Sequence, residues 1–256
     1  VSTFKPNQFI TQWLICGPFP NPDNAGRNID YLTNAGGETL IRPKVGMVHP
    51  SAAVPGGMVK WQEVSAYAHG FLDFMRLPLP HERVVAYTFC YLKVPQAMDV
   101  ILKIGSDDGV KVWLNGNLVH DKDVGRPARP DEDRIPARLL DRENALLIKV
   151  DQSIGGWGLY FRVSPAFPLE KGVFLADAKF GPVLAGIGGI ASATLSIFNA
   201  KDTPLVVDKI EWEENDWMET GNVSIGELDS QSVQTLRFQI KNKPIPALAP
   251  SEPIQI

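Results

Sequence analysis

The sequence has few cysteines, no excess of basic residues and no long apolar run. Its two cysteines, Cys16 and Cys90, are too few to form a disulfide framework. With 25 Lys and Arg against 29 Asp and Glu, the net charge is −4. This balance argues against nucleic acid or an anionic membrane as a partner. The apolar runs are short and interrupted, so we expect no transmembrane helix.

The sequence also lacks the motifs of common enzymes. Its four histidines show no HxH or HExxH spacing for zinc, and no Gly-x-Ser-x-Gly segment is present to carry a nucleophile. We therefore expect a non-catalytic protein. The enzyme alternative is a cleft between two domains, with acids from both. Cys16 and Cys90 lie in apolar runs, which indicates buried thiols, with a bridge between them as the alternative.

Segments typical of β-strands are present instead almost throughout. They are short, rich in β-branched and aromatic residues, and separated by Gly, Pro, Asn and Asp. The segment Asn21–Gly57 is irregular, and we interpret it as a surface excursion near one end of a sandwich. Within it, Asn28–Asn34 has room for one or two helical turns. The predicted strands are Gln12–Cys16, Val84–Val94, Asp99–Ser106, Val110–Leu114, Leu118–Asp121, Asp133–Leu139, Ala145–Val150 and Gly158–Val163.

The segment Ser164–Gly172 carries two prolines and a glycine, which marks a domain boundary. The sequence therefore predicts two all-β domains, at 1–164 and 171–256, the second of immunoglobulin-like size. Four prolines in Pro244–Pro253 resemble a linker or an edge strand. The strands predicted in the second domain are Ala191–Asn199, Leu205–Trp212, Gly221–Ile225 and Thr235–Lys241.

The most informative run is Gly105–Asp121, because Asn115-Gly116 is the strongest short-range signal for a β-hairpin. Counting back from this turn pairs Val110 with Asp121. The pairing returns Asp121 to the end of the hairpin that also holds Asp107 and Asp108.

Three carboxylates at one rim of a sheet repel one another and therefore need a counter-charge. One candidate is calcium, held by Asp107, Asp108 and Asp121 with oxygen ligands from the backbone. The alternative, which we favour, is a network of ion pairs with the arginines of the following segment. Those arginines are Arg126, Arg129 and Arg134.

Tryptophans supply the candidate platforms for a sugar ring, whose C–H face packs on an aromatic surface. Trp157 stands between two glycines, which would leave its ring uncovered, and Trp61 follows a glycine-rich loop. The alternative for Trp157 is a core position among small neighbours. Trp13 and Trp113 lie within apolar strands and are predicted to be core residues.

Several of these segments together resemble a known module. They are Gln12–Phe19, Gly105–Gly116, Arg129–Arg134, Glu143–Val150 and Gly155–Arg162. Together they are similar to the galactose-binding-like jelly roll of secreted bacterial proteins that act on polysaccharides, and to the sugar-binding sandwich domains of glycoside hydrolase family 2. The Ser-Asp-Asp-Gly stretch also resembles calcium lectins of the protective-antigen type.

The resemblance implies a jelly-roll sandwich that binds a polysaccharide or oligosaccharide without catalysis. It implies a secreted or periplasmic bacterial protein, with a catalytic domain in the same parent chain as partner. The expected ligand-binding residues are Trp157, Asp107, Asp108, Arg126, Arg134 and Trp61. The alternative is a pair of structural spacers that pack on the catalytic domain and bind no glycan.

Overall fold

The computed structural model describes residues 2–3, 5–170, 172–180, 189–214 and 218–242, and these residues are predominantly β-strand. The all-β prediction is thus confirmed. Contacts within the chain define two compact units, 1–165 and 166–256. The predicted linker Pro244–Pro253 lies outside the described residues. None of the helical segments in the described part of the chain has the length and apolar content needed to span a bilayer.

In the first unit, residues 2–3 and 5–165 form thirteen strands and four short helical segments. The strands are β1 (Ser2–Thr3), β2 (Gln12–Pro20), β3 (Val48–Pro50), β4 (Met58–Lys60), β5 (Gln62–Ser65), β6 (Phe71–Asp73), β7 (Val84–Lys93), β8 (Met98–Asp107), β9 (Val110–Leu114), β10 (Asn117–Lys122), β11 (Asp133–Leu139), β12 (Glu143–Gln152) and β13 (Gly158–Pro165). The helical segments are 3₁₀ turns at Pro22–Asn28, Thr33–Ala35 and Phe74–Arg76, and α1 at Gly37–Leu40.

Two sheets form a sandwich around one apolar core. The larger sheet has the order β10-β9-β12-β7-β2-β5, with β1 added beside β7, and the smaller sheet has the order β11-β8-β13-β6. Side chains alternate along each strand, so Leu159 and Phe161 of β13 enter the core while Tyr160 points to the opposite face. Strands β5 and β6 each form an edge of their sheet.

The segment Asn21–Gly57 is an insertion that covers the outer face of the larger sheet instead of standing at one end. Its Leu32 and Ile41 are buried against Tyr87 and Phe89 of β7, in a second apolar cluster. The outward residues of β7 are therefore buried although they do not face the other sheet. The helical turns lie at Pro22–Asn28, Thr33–Ala35 and Gly37–Leu40, so they overlap the predicted position Asn28–Asn34 only at its two ends.

The two cysteines illustrate the alternation. Cys16 belongs to the cluster under the insertion, whereas Cys90 belongs to the core between the sheets. Both are buried and free, as expected for apolar thiols. Burial raises the pKa of both thiols well above its usual range.

The hairpin forms with Asn115-Gly116 as its turn, and both residues have positive φ (53° and 87°). The predicted register holds only next to the turn, where Leu118 faces Trp113. A β-bulge between Leu118 and His120 then shifts the pairing by one residue. Lys122, not Asp121, faces Val110, and the predicted pairing of Asp121 with Val110 was wrong.

The described residues of the second unit form six strands: β14 (Phe167–Glu170), β15 (Val173–Phe180), β16 (Gly189–Asn199), β17 (Leu205–Trp212), β18 (Gly221–Leu228) and β19 (Val233–Asn242). Strands β14-β15-β16-β19 form one sheet, and β17-β18 form another. Val173, Ile197, Ile225 and Leu228 are buried together as its main core. Strands β14 and β15 were not predicted, because prolines and charges interrupt their sequence.

Candidate functional site

The two tryptophans expected to be exposed are buried. Trp157 is 1% exposed and packs edge-on against Phe74, with ring centroids 5.3 Å apart. Trp61 is 0% exposed, and its indole donates a hydrogen bond to Nε2 of His49 at 3.0 Å. Neither ring offers a surface to a sugar, so their prediction as platforms was wrong. Trp13 and Trp113 are core residues, as predicted.

The glycines beside Trp157 are small for a different reason. A Cβ on Gly158 would lie 2.4 Å from the carbonyl oxygen of Leu72, and one on Gly156 would lie 2.7 Å from Oδ2 of Asp107. Strand β6 and the Asp107 carboxylate therefore approach this backbone closely. The glycines permit tight packing and do not uncover the indole.

Asp107 and Asp108 hold two loops at the rim of the sandwich and are joined by a cis peptide bond. Oδ1 of Asp108 accepts a hydrogen bond from the backbone N–H of Arg126, and Oδ2 accepts one from Ser153, each at 3.0 Å. Asp107 accepts a hydrogen bond from the backbone N–H of Ala128. The carboxylates thus stabilise backbone segments of the rim.

The environment of Asp107 favours its protonated form. Partial burial, followed by the charge of Asp108, raises the pKa of Asp107 to about 6, and the hydrogen bond from Ala128 only partly opposes this. A carboxyl with this pKa changes its charge in mildly acidic solution.

The counter-charge for Asp121 comes from the insertion. The buried guanidinium of Arg27 donates to Asp121, and its Nη1 donates to Oδ1 of Asp151 at 2.8 Å. Lys111 also lies 3.2 Å from Asp121. A Cβ on Gly109 would lie 2.9 Å from Arg27 Nη1, so the guanidinium fits closely against this glycine. Burial raises the pKa of Asp151, although Arg27 opposes the shift.

The predicted calcium site is not formed. Across residues 5–170, 172–180, 189–214 and 218–242, no three His, Cys, Asp or Glu side chains form a group that could hold a metal ion. Asp108 accepts hydrogen bonds from two backbone amides, and Asp121 pairs with Arg27. Asp108 and Asp121 thus have their partners within the protein, and the prediction of a calcium site at Asp107, Asp108 and Asp121 was wrong.

The arginines after the hairpin contact other acids than predicted. The guanidinium of Arg126 pairs with Asp133 and also donates to the hydroxyl of Ser106 at 3.1 Å. Burial alone would raise the pKa of Asp133, but the nearby His120 and hydrogen bonds from Arg126 and Lys122 hold it well below its usual range. Arg126 thus forms its ion pair at the rim with Asp133 and not with Asp107 or Asp108.

Arg134 lies away from Asp107 and Asp108, opposite Lys103 on the outer face of the smaller sheet. There it acts with Arg162 and Lys103 on Asp131. The pKa of Asp131, which burial alone would raise, is lowered by the hydrogen bond from Arg162 and by these charges. The predicted grouping of Arg134 with the Asp107–Asp108 pair was wrong.

A groove opens on the outer face of the larger sheet where the insertion ends. In one row across the sheet, Leu14 of β2 lies between Glu63 of β5 and Phe89 of β7. Tyr91 comes two residues further along β7, and its ring meets that of Phe89 edge-on, with centroids 4.9 Å apart. Lys44 of the insertion forms the wall.

The volume of this groove is about 370 Å³, within the range of ligand-binding sites. Its floor is apolar and aromatic, whereas Gln12, Lys44 and Glu63 add polar groups at its border. Lys44 and Glu63 are exposed, and neither side chain forms an ion pair or hydrogen bond with a described residue. A shallow site of this kind can stack one face of a ring and bind its hydroxyls from the side.

None of the groove residues was predicted as a site residue. One signal in the sequence could have found the floor: Tyr87, Phe89 and Tyr91 occur at every second position of one strand and therefore share one face. Lys44 and Glu63 carry no such signal, because only the folded insertion brings Lys44 next to β5.

Comparison with protein-family models and with curated proteins finds no match. Solved structures of glycoside hydrolases are similar in part. A GH2 β-galacturonidase from Eisenbergiella tayi is 12% identical, over 78% of this chain and 36% of that chain, with a TM-score of 0.40. The exo-chitosanase of Amycolatopsis orientalis is 15% identical, over 93% and 29%, with a TM-score of 0.40.

A third structure, β-glucuronidase 3 of Bacteroides uniformis, is 9% identical, over 93% of this chain and 31% of that chain, with a TM-score of 0.38. The chain therefore spans about a third of the length of these enzymes.

Proposed function

We propose that this chain is a non-catalytic carbohydrate-binding region of a larger secreted or periplasmic bacterial protein, with a catalytic domain in the same parent chain. The groove at Tyr91 is its glycan-binding site. The observation that supports this proposal is the combination of an aromatic floor with polar side chains that have no partner within the protein. Sugars need both, an apolar C–H face to cover and hydroxyls to bind.

Each groove residue has a role in this proposal. Tyr91 and Phe89 contact the ring face, and Leu14 continues the apolar floor between Phe89 and Glu63. Glu63 accepts hydrogen bonds from hydroxyls, whereas Lys44 and the side-chain amide N–H of Gln12 donate them. Because the groove is open and few sugar atoms are covered, binding is weak.

The test is affinity electrophoresis and calorimetric titration of the full chain against plant and algal polysaccharides. Tyr91→Ala weakens binding at least about fivefold, since an aromatic contact contributes about 1 kcal/mol. Glu63→Gln and Lys44→Gln weaken it as well. The matched controls Glu82→Gln and Lys5→Gln change exposed side chains outside the groove and leave binding unchanged.

Circular dichroism and thermal unfolding of each variant separate loss of the site from loss of the fold. If no polysaccharide retards the wild type or releases heat, the proposal fails and the spacer alternative replaces it. Equal loss of binding in the control variants would contradict the assignment to the groove.

A further inference from the structure

The groove has a neighbouring cavity at the edge of the larger sheet. A second cavity, of about 210 Å³, lies along the same edge strand and shares Glu63 with the groove. It is lined by Ile15 and Val64, whose strands belong to the larger sheet, and by Asp73 of β6 in the smaller sheet. The cavity therefore opens at the seam between β5 and β6.

An arginine stacked on an aromatic ring lies at the far side of this seam. Arg76 lines the second cavity, and its guanidinium carbon lies 4.2 Å from the ring centroid of Tyr67. Its Nη1 donates to the carbonyl oxygen of Ser65 at 2.8 Å, which fixes the side chain against β5. Arg76 forms no ion pair with any described residue.

The aromatic surface continues beyond Tyr67. The rings of Tyr67 and His69 are stacked, with centroids 5.6 Å apart and planes 5° apart, and both residues are exposed. Oδ2 of Asp73 accepts a hydrogen bond from the Tyr67 hydroxyl at 3.2 Å. Hydrogen bonds to Ser65 and Asp73 thus hold the Arg76–Tyr67–His69 stack in place. The stack presents aromatic edges and guanidinium N–H donors to solvent.

We infer that the ligand is an extended glycan chain, which runs from Tyr91 past Glu63 onto the Arg76–Tyr67–His69 stack. This inference rests on the proposed function and specifies its ligand class: several linked sugars rather than one terminal sugar. Two cavities that share a lining residue offer consecutive places to a chain, and each occupied place adds contacts without a second association cost. Arg76 donates hydrogen bonds to hydroxyl or ring oxygens of the distal sugars.

The test is calorimetric titration of the full chain with cello-, xylo-, manno- and galacturono-oligosaccharides of two to six residues. In the series that binds, affinity rises about tenfold or more from the disaccharide to the hexasaccharide. Arg76→Gln and His69→Ala remove most of this gain and leave disaccharide binding unchanged. Arg138→Gln, an exposed arginine paired with Asp99, is the matched control and keeps the gain.

The outcomes distinguish the two proposals. A hexasaccharide that binds wild type no more tightly than a disaccharide overturns the extended chain and leaves glycan binding in the groove intact. So does a gain that survives in both Arg76→Gln and His69→Ala. No binding of any oligosaccharide or polysaccharide overturns the proposed function itself. Because His69 is exposed, His69→Ala keeps the test decisive if Arg76→Gln disturbs the contact with Ser65.

Discussion

Arg27 and Asp151 are 124 positions apart in the sequence, yet Nη1 of the arginine lies 2.8 Å from Oδ1 of the aspartate, and both are buried. One belongs to the insertion and the other to β12. The contact places the Arg27 guanidinium among the rim carboxylates. Calcium was one of the two counter-charges that the sequence suggested at this rim. The Arg27–Asp151 contact also fastens the insertion to the larger sheet.

Arg27→Ala is expected to lower the free energy of unfolding by about 3–5 kcal/mol, because it leaves Asp151 buried without its counter-charge. Urea denaturation measures the change. The control is Arg138→Ala, whose exposed pair with Asp99 is worth about 0–1 kcal/mol. Equal effects of the two substitutions would contradict a buried, structural role for Arg27.

Calcium is expected to have no effect on thermal stability. Asp121 already pairs with Arg27 and Lys111, and Asp108 accepts hydrogen bonds from two backbone amides. The melting temperature in millimolar calcium and in EDTA should therefore agree within about 1 °C, since a ligand that binds the folded state shifts the melting temperature. A calcium-dependent rise that Asp108→Asn removes would restore the metal site.

Trp157→Ala is expected to destabilise the first unit by about 3–5 kcal/mol, because it leaves a large cavity beside Phe74. Chemical denaturation is the measurement, and Tyr91→Ala, a half-buried ring at the surface, is the comparison. Loss of glycan binding in Trp157→Ala with full stability would return this tryptophan to the binding site.

Asp107 is expected to make stability depend on pH in mildly acidic solution. Its pKa is about 6 in the folded protein against the ordinary aspartate value of 3.8, so the folded state holds the proton more tightly. This stabilisation is fully present below about pH 4 and is lost as the pH rises towards 6. Asp107→Asn, which stays neutral, should lose less stability than wild type over that interval.

Urea midpoints measured between pH 4 and pH 7 test this expectation. Asp133 acts in the opposite sense at lower pH. Its lowered pKa contributes stability above the usual carboxyl range, and this contribution is lost in stronger acid. Parallel pH profiles of wild type and Asp107→Asn would contradict the role assigned to Asp107.

Local chemistry explains which parts of the fold could be predicted. The Asn115-Gly116 turn follows from two residues that tolerate positive φ, and the strands follow from runs of β-branched and aromatic residues. The bulge after Leu118 could not be predicted, because it depends on how β10 meets the rest of the sheet. The strand register beyond the turn was therefore the feature of the hairpin that the sequence could not predict.

The rim and the surroundings of Trp157 were predicted less well than the strands, because their contacts are non-local. Arg27 stands in an irregular segment with no periodicity, and its partners lie about 100 residues away. The glycines beside Trp157 indicated an exposed indole ring. In the structure their small size instead allows β6 to pack closely against this backbone. The neighbouring residues in the sequence indicate how much space surrounds a side chain and how polar that space is. They do not indicate which distant strand packs against it.

The link between the insertion and β12 has a consequence for synthesis on the ribosome. Lys149 is buried and reaches back to Glu38 at 3.0 Å, just as Asp151 reaches Arg27. A nascent chain that ends before these residues exposes acids and bases whose partners have not yet been translated. The first unit can therefore complete its fold only after β12 has left the exit tunnel. Folding that depends on such long-range contacts is slow.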